Sequence, residues 1–161
     1  MELFLDGRSL GRQQPDKARK STNLKHPPFT FHVKSFTPGV VTAVGYKNNK
    51  KIIQHQRKTP GAPAKINLHI DYSGKDLKTG QNDIVFVYAD VVDENETVVH
   101  DAKDAIEFTV TGDTVLVGQN PRAAEAGTAT VLLKAGTKTG NIKISARCGN
   151  LKSSELTITA K

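Results

Sequence analysis

The chain has 161 residues, a formal net charge of +7 and a pI near 9.5. With 37% hydrophobic and 24% charged residues it has the composition of a folded globular chain, with room for one domain or two small ones. No apolar run approaches the roughly 18 residues that a membrane-spanning helix needs, and a single cysteine excludes an internal disulfide, so core packing must supply the stability.

The first sixty residues alternate between apolar and polar positions, which is typical of β-strands. Asp6-Gly7 predicts a two-residue hairpin turn, and Pro38-Gly39 predicts a type II turn. Five strands are expected, near residues 3–5, 9–11, 29–34, 40–46 and 51–55, with a polar, charged loop over 13–25. Five strands leave part of the apolar face uncovered and one sheet edge unprotected, through which the chain could form a homo-oligomer.

A Pro/Gly stretch at residues 59–64 (TPGAPA) separates two chemically different parts of the chain. Residues 1–60 carry 12 Lys+Arg against 3 Asp+Glu, whereas residues 61–161 hold the remaining 11 against 13. Such a stretch cannot continue a helix or pair as a central strand. The sequence therefore predicts a domain boundary here, with a partial β-sandwich over 1–60 and a complete one over 61–161.

The second segment predicts an immunoglobulin-like β-sandwich. Its period-two pattern indicates about seven short strands separated by turn residues, the expectation for that fold. The best helix candidate, residues 121–126, is one or two turns at most. Cys148 lies in phase with Ile142, Ile144 and Ala146, which favours a small buried side chain. The whole chain is thus predicted to be all-β, with two immunoglobulin-like units.

Four motifs carry a family resemblance. Residues 2–11 (ELFLDGRSLG) resemble the "ELFLNGKSLG" signature near the C-terminal end of many bacterial family 2 glycoside hydrolases of the β-galactosidase type. Residues 38–46 (PGVVTAVGY) and 59–66 (TPGAPAKI) are similar to the strand and linker that follow there. Residues 91–98 (VVDENETV) are similar to the "VVDENGN-V" strand and turn of the next domain, with Glu96 in place of the usual glycine.

The resemblance implies an accessory, C-terminal piece of a larger enzyme. In that family the catalytic pair of glutamates lies on a TIM barrel well upstream, so no catalytic residue and no cofactor is implied here. It also implies that the first unit is cut inside a domain at Met1. The partners would be the upstream catalytic domains, and the parent enzyme would hydrolyse O-glycosidic bonds in the periplasm or outside a bacterium.

The residues themselves give little sign of a catalytic or metal site. Glycoside hydrolysis needs two carboxyl groups across a sugar site, whereas the acidic residues here fall at strand ends and turns, as in residues 93–96 (DENE). The five histidines lack ligand-like spacing, and no EF-hand spacing is present. We therefore predict neither catalytic residues nor metal ligands.

Three aromatic side chains, Tyr46, Tyr88 and Phe86, are the candidates for a contact with carbohydrate or with a neighbouring domain. An apolar second face beside Ile84 favours packing against a domain or chain over sugar binding. The competing hypotheses are a carbohydrate-binding module and, less favoured, a stand-alone adhesin-like or basic nucleic-acid-binding protein. Basic loops without tryptophan argue against nucleic acid.

Overall fold

The computed structural model describes residues 1–161, which form two compact units, Met1–Thr59 and Pro60–Lys161. Both units consist of antiparallel strands, which confirms the all-β prediction. The longest helix has four residues, so no helix could cross a bilayer.

The first unit is one four-stranded antiparallel sheet in the order β2-β1-β3-β4. Its elements are β1 (Glu2–Leu5), β2 (Arg8–Arg12), α1 (Arg19–Thr22), β3 (Val40–Lys47) and β4 (Lys50–Lys58). Asp6 (φ 47°) and Gly7 (φ 80°) form the turn between β1 and β2 as expected. Asn48 and Asn49, also at positive φ, turn the chain from β3 to β4.

The fifth predicted strand of this unit, residues 29–34, is wrong. That segment is irregular, and the only regular element between β2 and β3 is α1. β1 pairs directly with both β2 and β3, and residues 29–34 pair with neither of the outer strands, β2 and β4. An alternating pattern forms a strand only where a partner can take up its backbone hydrogen bonds.

The first unit buries little apolar surface. Of the 24 buried hydrophobic residues in the chain, only Val44 belongs to it. The four residues of β1 are half-buried and all nine of β4 are exposed. A single sheet with one well-buried aliphatic side chain has no second layer of its own.

The second unit is a β-sandwich of two four-stranded antiparallel sheets, in the orders β5-β6-β10-β8 and β12-β11-β7-β9. Its strands are β5 (Lys65–Asp71), β6 (Ile84–Val92), β7 (Ala105–Thr111), β8 (Thr114–Val117), β9 (Arg122–Ala123), β10 (Thr128–Ala135), β11 (Gly140–Arg147) and β12 (Ser154–Ala160). Alternate residues of every strand except the two-residue β9 enter one shared core, as Val85 and Val87 of β6 and Ile142 and Ile144 of β11 do.

The unit has eight strands rather than seven because residues 122–123 form a short strand and not a helix. The Asn120 side chain holds this segment beside β7. Its Oδ1 accepts a 2.9 Å hydrogen bond from the Phe108 N–H, and its Nδ2 donates a 2.8 Å bond to the Phe108 carbonyl. The Asn120 side chain thus binds both the backbone N–H and the C=O of Phe108 in β7. The residues that follow Asn120 run beside β7 and form β9.

Candidate functional site

The outer face of the β5-β6-β10-β8 sheet carries two of the aromatic residues that the sequence singles out. Phe86 and Tyr88 alternate with the buried residues of β6 and therefore point away from the core. In the register of the sheet, Tyr88 lies opposite His69 of β5, and Phe86 lies opposite Leu132 of β10. Residues from three strands thus meet on one surface.

Three rings stack on this face. The His69 and Tyr88 rings are 5.0 Å apart between centroids and 12° from parallel, and the Phe86 and Tyr88 rings are 6.1 Å apart and 23° from parallel. At the 5.0 Å separation the nearly parallel rings of His69 and Tyr88 form an offset stack, which is a favoured arrangement of aromatic pairs. The three rings therefore form a continuous aromatic row across β5 and β6.

Apolar side chains extend the surface across β10 to β8. Leu132 lies opposite Val117, and Val115 lies opposite Lys134. Exposure is high for an apolar cluster, at 48% for Ile84, 47% for Phe86 and 59% for Val115. We call this set the apolar face; it consists of Ile84, Phe86, Tyr88, Leu132, Val115 and Val117.

Polar groups border the apolar face on the β5 side. The His69 Nδ1 lies 3.4 Å from an Asp90 carboxylate oxygen, and the other Asp90 oxygen accepts a 2.6 Å hydrogen bond from the Thr128 hydroxyl. This contact holds the imidazole in place beside Tyr88. An apolar centre with a polar border is the usual anatomy of a protein interface.

Tyr46, the third aromatic candidate, belongs to the first unit and is half-buried on β3. The Arg12 guanidinium lies 4.3 Å from the ring centroid, so a cation–π contact already occupies one ring face. Burial and the neighbouring Glu2 carboxylate raise the pKa of the Tyr46 phenol, and Arg12 partly offsets this. The ring is engaged within its own sheet.

The acidic turn at residues 93–96 is a structural element. Residues 94–96 form a turn, as their position after a strand predicts, and Asp93, which precedes the turn, is buried, with 2% of its surface exposed. Its carboxylate accepts backbone hydrogen bonds from Gly61, Asn95 and Thr97, at 2.8 to 2.9 Å. In residues 1–161 no group of three His, Cys, Asp or Glu side chains is placed to hold a metal ion.

Cys148 is buried, as its phase in the strand pattern predicts. Burial, reinforced by the charge of Asp104, raises the pKa of its thiol above the ordinary value. Such a thiol is mostly protonated at neutral pH and is a poor nucleophile.

The sequence pattern identified Phe86, Tyr88 and Ile84 but did not link them to His69, Leu132, Val115 and Val117. Those four residues are 15 or more positions away from Tyr88 in the chain. Only the strand register brings them together. Val115 and Val117 also alternate in the sequence with other residues of β8. Once β8 is known to be an edge strand, this pattern indicates that both valines lie on one exposed face of the sheet.

Comparison with known proteins identifies similar sequences for both units. The family described as glycoside hydrolase family 2 C-terminal domain 5 matches residues 66–157, and a family described only as a domain of unknown function matches residues 1–53. A β-galactosidase of Thermoanaerobacter pseudethanolicus is 29% identical over 143 residues, covering 83% of this chain and 19% of the relative. The β-galactosidase BoGH2A of Bacteroides ovatus is 31% identical over 118 residues, covering 73% of this chain and 13% of the relative.

Among solved structures, a glycosyl hydrolase family 2 member from Bacteroides cellulosilyticus superposes with a TM-score of 0.78 at 24% identity. The match covers 99% of this chain and 21% of that one. This likeness concerns the fold. The chain spans about a fifth or less of the length of the curated relatives it matches.

Proposed function

The chain belongs to the glycoside hydrolase family 2 C-terminal domain 5 family, and from that premise we propose that it is a non-catalytic accessory region that gives structural support to a longer glycoside hydrolase. The curated relatives bear the name β-galactosidase and are five or more times as long as the matched segment. The longer protein would hydrolyse O-glycosidic bonds, with its catalytic groups in domains outside residues 1–161.

The apolar face is the observation that carries this proposal. The second unit already has a closed core, yet it leaves six neighbouring apolar side chains on one outer sheet face at least partly open to solvent. A self-sufficient domain gains nothing from such a surface, whereas a domain that packs against another domain buries it. We assign Phe86 and Tyr88 to this domain contact.

The two units contribute differently to the proposed accessory region. We propose that residues 61–161 are a complete immunoglobulin-like sandwich and that residues 1–60 are part of one. The single sheet of the first unit, with Val44 as its one buried hydrophobic residue, supports the second assignment. Its covering layer would come from another part of a longer chain.

A hydrolysis assay tests the non-catalytic assignment. The purified 161-residue chain should release no nitrophenol from nitrophenyl β-galactoside or β-glucuronide above the buffer rate. Hydrolysis that follows the protein through purification would contradict the proposal. Binding to a glycan array that Tyr88→Ala abolishes would replace it with carbohydrate recognition.

A chimera tests the supporting role. In the T. pseudethanolicus β-galactosidase, the segment similar to this chain would be either deleted or replaced by residues 1–161. The chimera should resist heat inactivation better than the deleted enzyme, and Phe86→Ser with Leu132→Ser should remove that advantage. Phe36→Ser, an exposed aromatic in the first unit and outside the apolar face, is the matched control. Equal half-lives for the deleted enzyme and the chimera would refute the role.

A further inference from the structure

The free edge of β4 combines three properties that point to a peptide ligand. β4 is the last strand of its sheet, it is nine residues long, and every residue in it is exposed. We propose that this edge binds an acidic polypeptide segment in extended conformation, which adds to the sheet as a fifth strand beside β4.

The backbone groups needed for strand addition are available. The Thr59 N–H donates a 2.9 Å hydrogen bond to the Gly39 carbonyl, at the end of the β3–β4 ladder. Hydrogen-bonded and non-bonded residues alternate in an antiparallel ladder, so Arg57 and His55 also bond to β3. Gln54, Gln56 and Lys58 then direct their N–H and C=O groups away from the sheet, where the Gln56 carbonyl accepts only a long, 3.3 Å hydrogen bond from the exposed Arg57 guanidinium, which an added strand would displace. A row of such groups is a template for another strand.

The charge on this edge selects an acidic partner. β4 carries Lys50, Lys51, Arg57 and Lys58 and no acidic residue. The ion pairs seen in the structure all join residues of the second unit. Lys51 and Arg57 donate hydrogen bonds only to uncharged oxygens of β4 itself, those of the Gln54 side chain and the Gln56 carbonyl. All four cations are exposed and have no acidic partner, so an anionic strand would reach them.

The first unit does not neutralise its own charge. Its three acidic side chains accept hydrogen bonds from neutral groups: Glu2 from the Ser9 hydroxyl (2.8 Å), Asp6 from the Val40 N–H (2.7 Å) and Asp16 from the Thr30 hydroxyl (2.5 Å). Twelve cations against three acids over residues 1–60 therefore leave a strongly positive unit. This field would draw an anionic segment towards the unit.

The same charges disfavour a second copy of β4 as the occupant. In an antiparallel pair of two β4 strands centred on Gln54, Lys50 would face Lys58 and Lys51 would face Arg57. Like charges directly opposite destabilise a strand pair. Ile52 and Ile53, each 63% exposed, would supply apolar contacts to a strand with small aliphatic side chains.

A labelled nine-residue peptide of alternating valine and glutamate is the probe. Fluorescence anisotropy with the full chain should detect saturable binding, weakened about tenfold or more when NaCl rises from 50 to 500 mM. A peptide with glutamine in place of glutamate should bind at least tenfold more weakly. The acidic peptide N-methylated at alternate amides should not bind, because it cannot form the ladder.

Variants of the chain locate the site. Lys51→Glu with Lys58→Glu should weaken binding at least tenfold, whereas Lys75→Glu with Lys103→Glu, two exposed lysines of the second unit, should change it less than twofold. Gln56→Pro removes one outward N–H while leaving the β3 ladder intact, and it should abolish binding with an unchanged circular dichroism spectrum.

Three results would overturn the proposal. Undiminished binding of the N-methylated peptide would mean a charge contact without strand addition. A 20-base-pair DNA duplex that binds more tightly than the peptide at 150 mM NaCl would assign the edge to nucleic acid. No peptide binding at 50 mM NaCl would leave the lysines with only the role of preventing self-association. The N-methylated peptide is tested with the unmodified chain. Strand addition can therefore be tested even if Gln56→Pro does not fold.

Discussion

The Asp93 carboxylate accepts a 2.8 Å hydrogen bond from the backbone N–H of Gly61, 32 residues earlier in the chain. Through its other oxygen the same carboxylate accepts the N–H groups of Asn95 and Thr97, at 2.9 Å each. A single buried side chain therefore ties the Pro/Gly stretch at the start of the second unit to the turn after β6. Both segments lack regular backbone partners, and the carboxylate supplies them.

Replacing Asp93 should destabilise the second unit strongly. Asp93→Ala leaves three backbone N–H groups without their acceptor, so we expect the free energy of unfolding to fall by about 2–4 kcal/mol. Asp93→Asn keeps the shape and one acceptor oxygen and should cost less. Urea denaturation followed by circular dichroism measures both changes. Glu94→Ala, at an exposed neighbouring position, is the control and should shift the midpoint very little; an equal loss there would contradict this role of Asp93.

Glu96 should be replaceable by glycine with a gain in stability. Its backbone has φ 64°, in the left-handed region that side chains with a Cβ disfavour by about 1–2 kcal/mol. Its ion pair with Lys65 is exposed on the Glu96 side and contributes little. We expect Glu96→Gly to raise the unfolding free energy by about 1 kcal/mol. Glu96→Gln, which removes the charge and keeps the strain, should have almost no effect, and a gain from Glu96→Gln would instead implicate the charge.

Asp113 should make stability depend on pH in the acid range. Backbone N–H groups of Lys138 and Thr137 donate to its carboxylate at 2.6 and 2.7 Å and lower its pKa from the ordinary 3.8. The folded state therefore binds the proton less readily than the unfolded state. The resulting stabilisation is complete above pH 3.8 and is lost as the pH falls through the lower, folded-state value.

Asp113→Asn should thus reduce stability at pH 6, with a difference from the unmodified chain that shrinks as the pH falls towards 3. Urea denaturation at a series of pH values measures this difference. A difference that stays constant with pH would show that geometry, rather than the charge on Asp113, stabilises the loop.

Gly127 should tolerate no side chain. It has φ 82°, and a Cβ there would lie 2.4 Å from the Val99 carbonyl oxygen, a backbone atom that cannot move aside. Gly80 is the matched control, since it has φ 70° and no atom within 4 Å of a Cβ. We expect Gly80→Ala to cost about 1 kcal/mol from φ strain alone and Gly127→Ala at least about twice as much. Thermal unfolding of the two variants separates the cost of backbone strain from the cost of the steric clash. Equal decreases in Tm would contradict a clash between a side chain at position 127 and the Val99 carbonyl.

Amide hydrogen exchange should be faster in the first unit than in the second. Only one of the 24 buried hydrophobic residues lies in the first unit, and its edge strand β4 is exposed throughout. Local opening there uncovers little apolar surface and therefore costs little free energy. Mass spectrometry of the dilute chain should find the slowest amides in β6, β10 and β11. Equal protection in both units would contradict this expectation.

Much of the fold could be read from the period-two pattern because each strand of a sandwich has one buried face. Ile66 and Leu68, like Ile142 and Ile144, alternate with polar residues and enter the core as predicted. The pattern was wrong at residues 29–34, because alternation describes the side chains and does not reveal whether the backbone pairs with another strand. It also missed β9, whose position depends on Asn120 binding to Phe108.

By itself the sequence determined the all-β class, the family resemblance and the outward direction of Phe86 and Tyr88, because these depend on local alternation and on short motifs. Only the tertiary structure decided that His69, Leu132, Val115 and Val117 join those rings in one apolar face, since strand register places residues distant in the chain side by side. It likewise decided that Asp93 is buried and that β4 is a free edge. Burial and edge position are properties of how strands assemble, and no single strand encodes them.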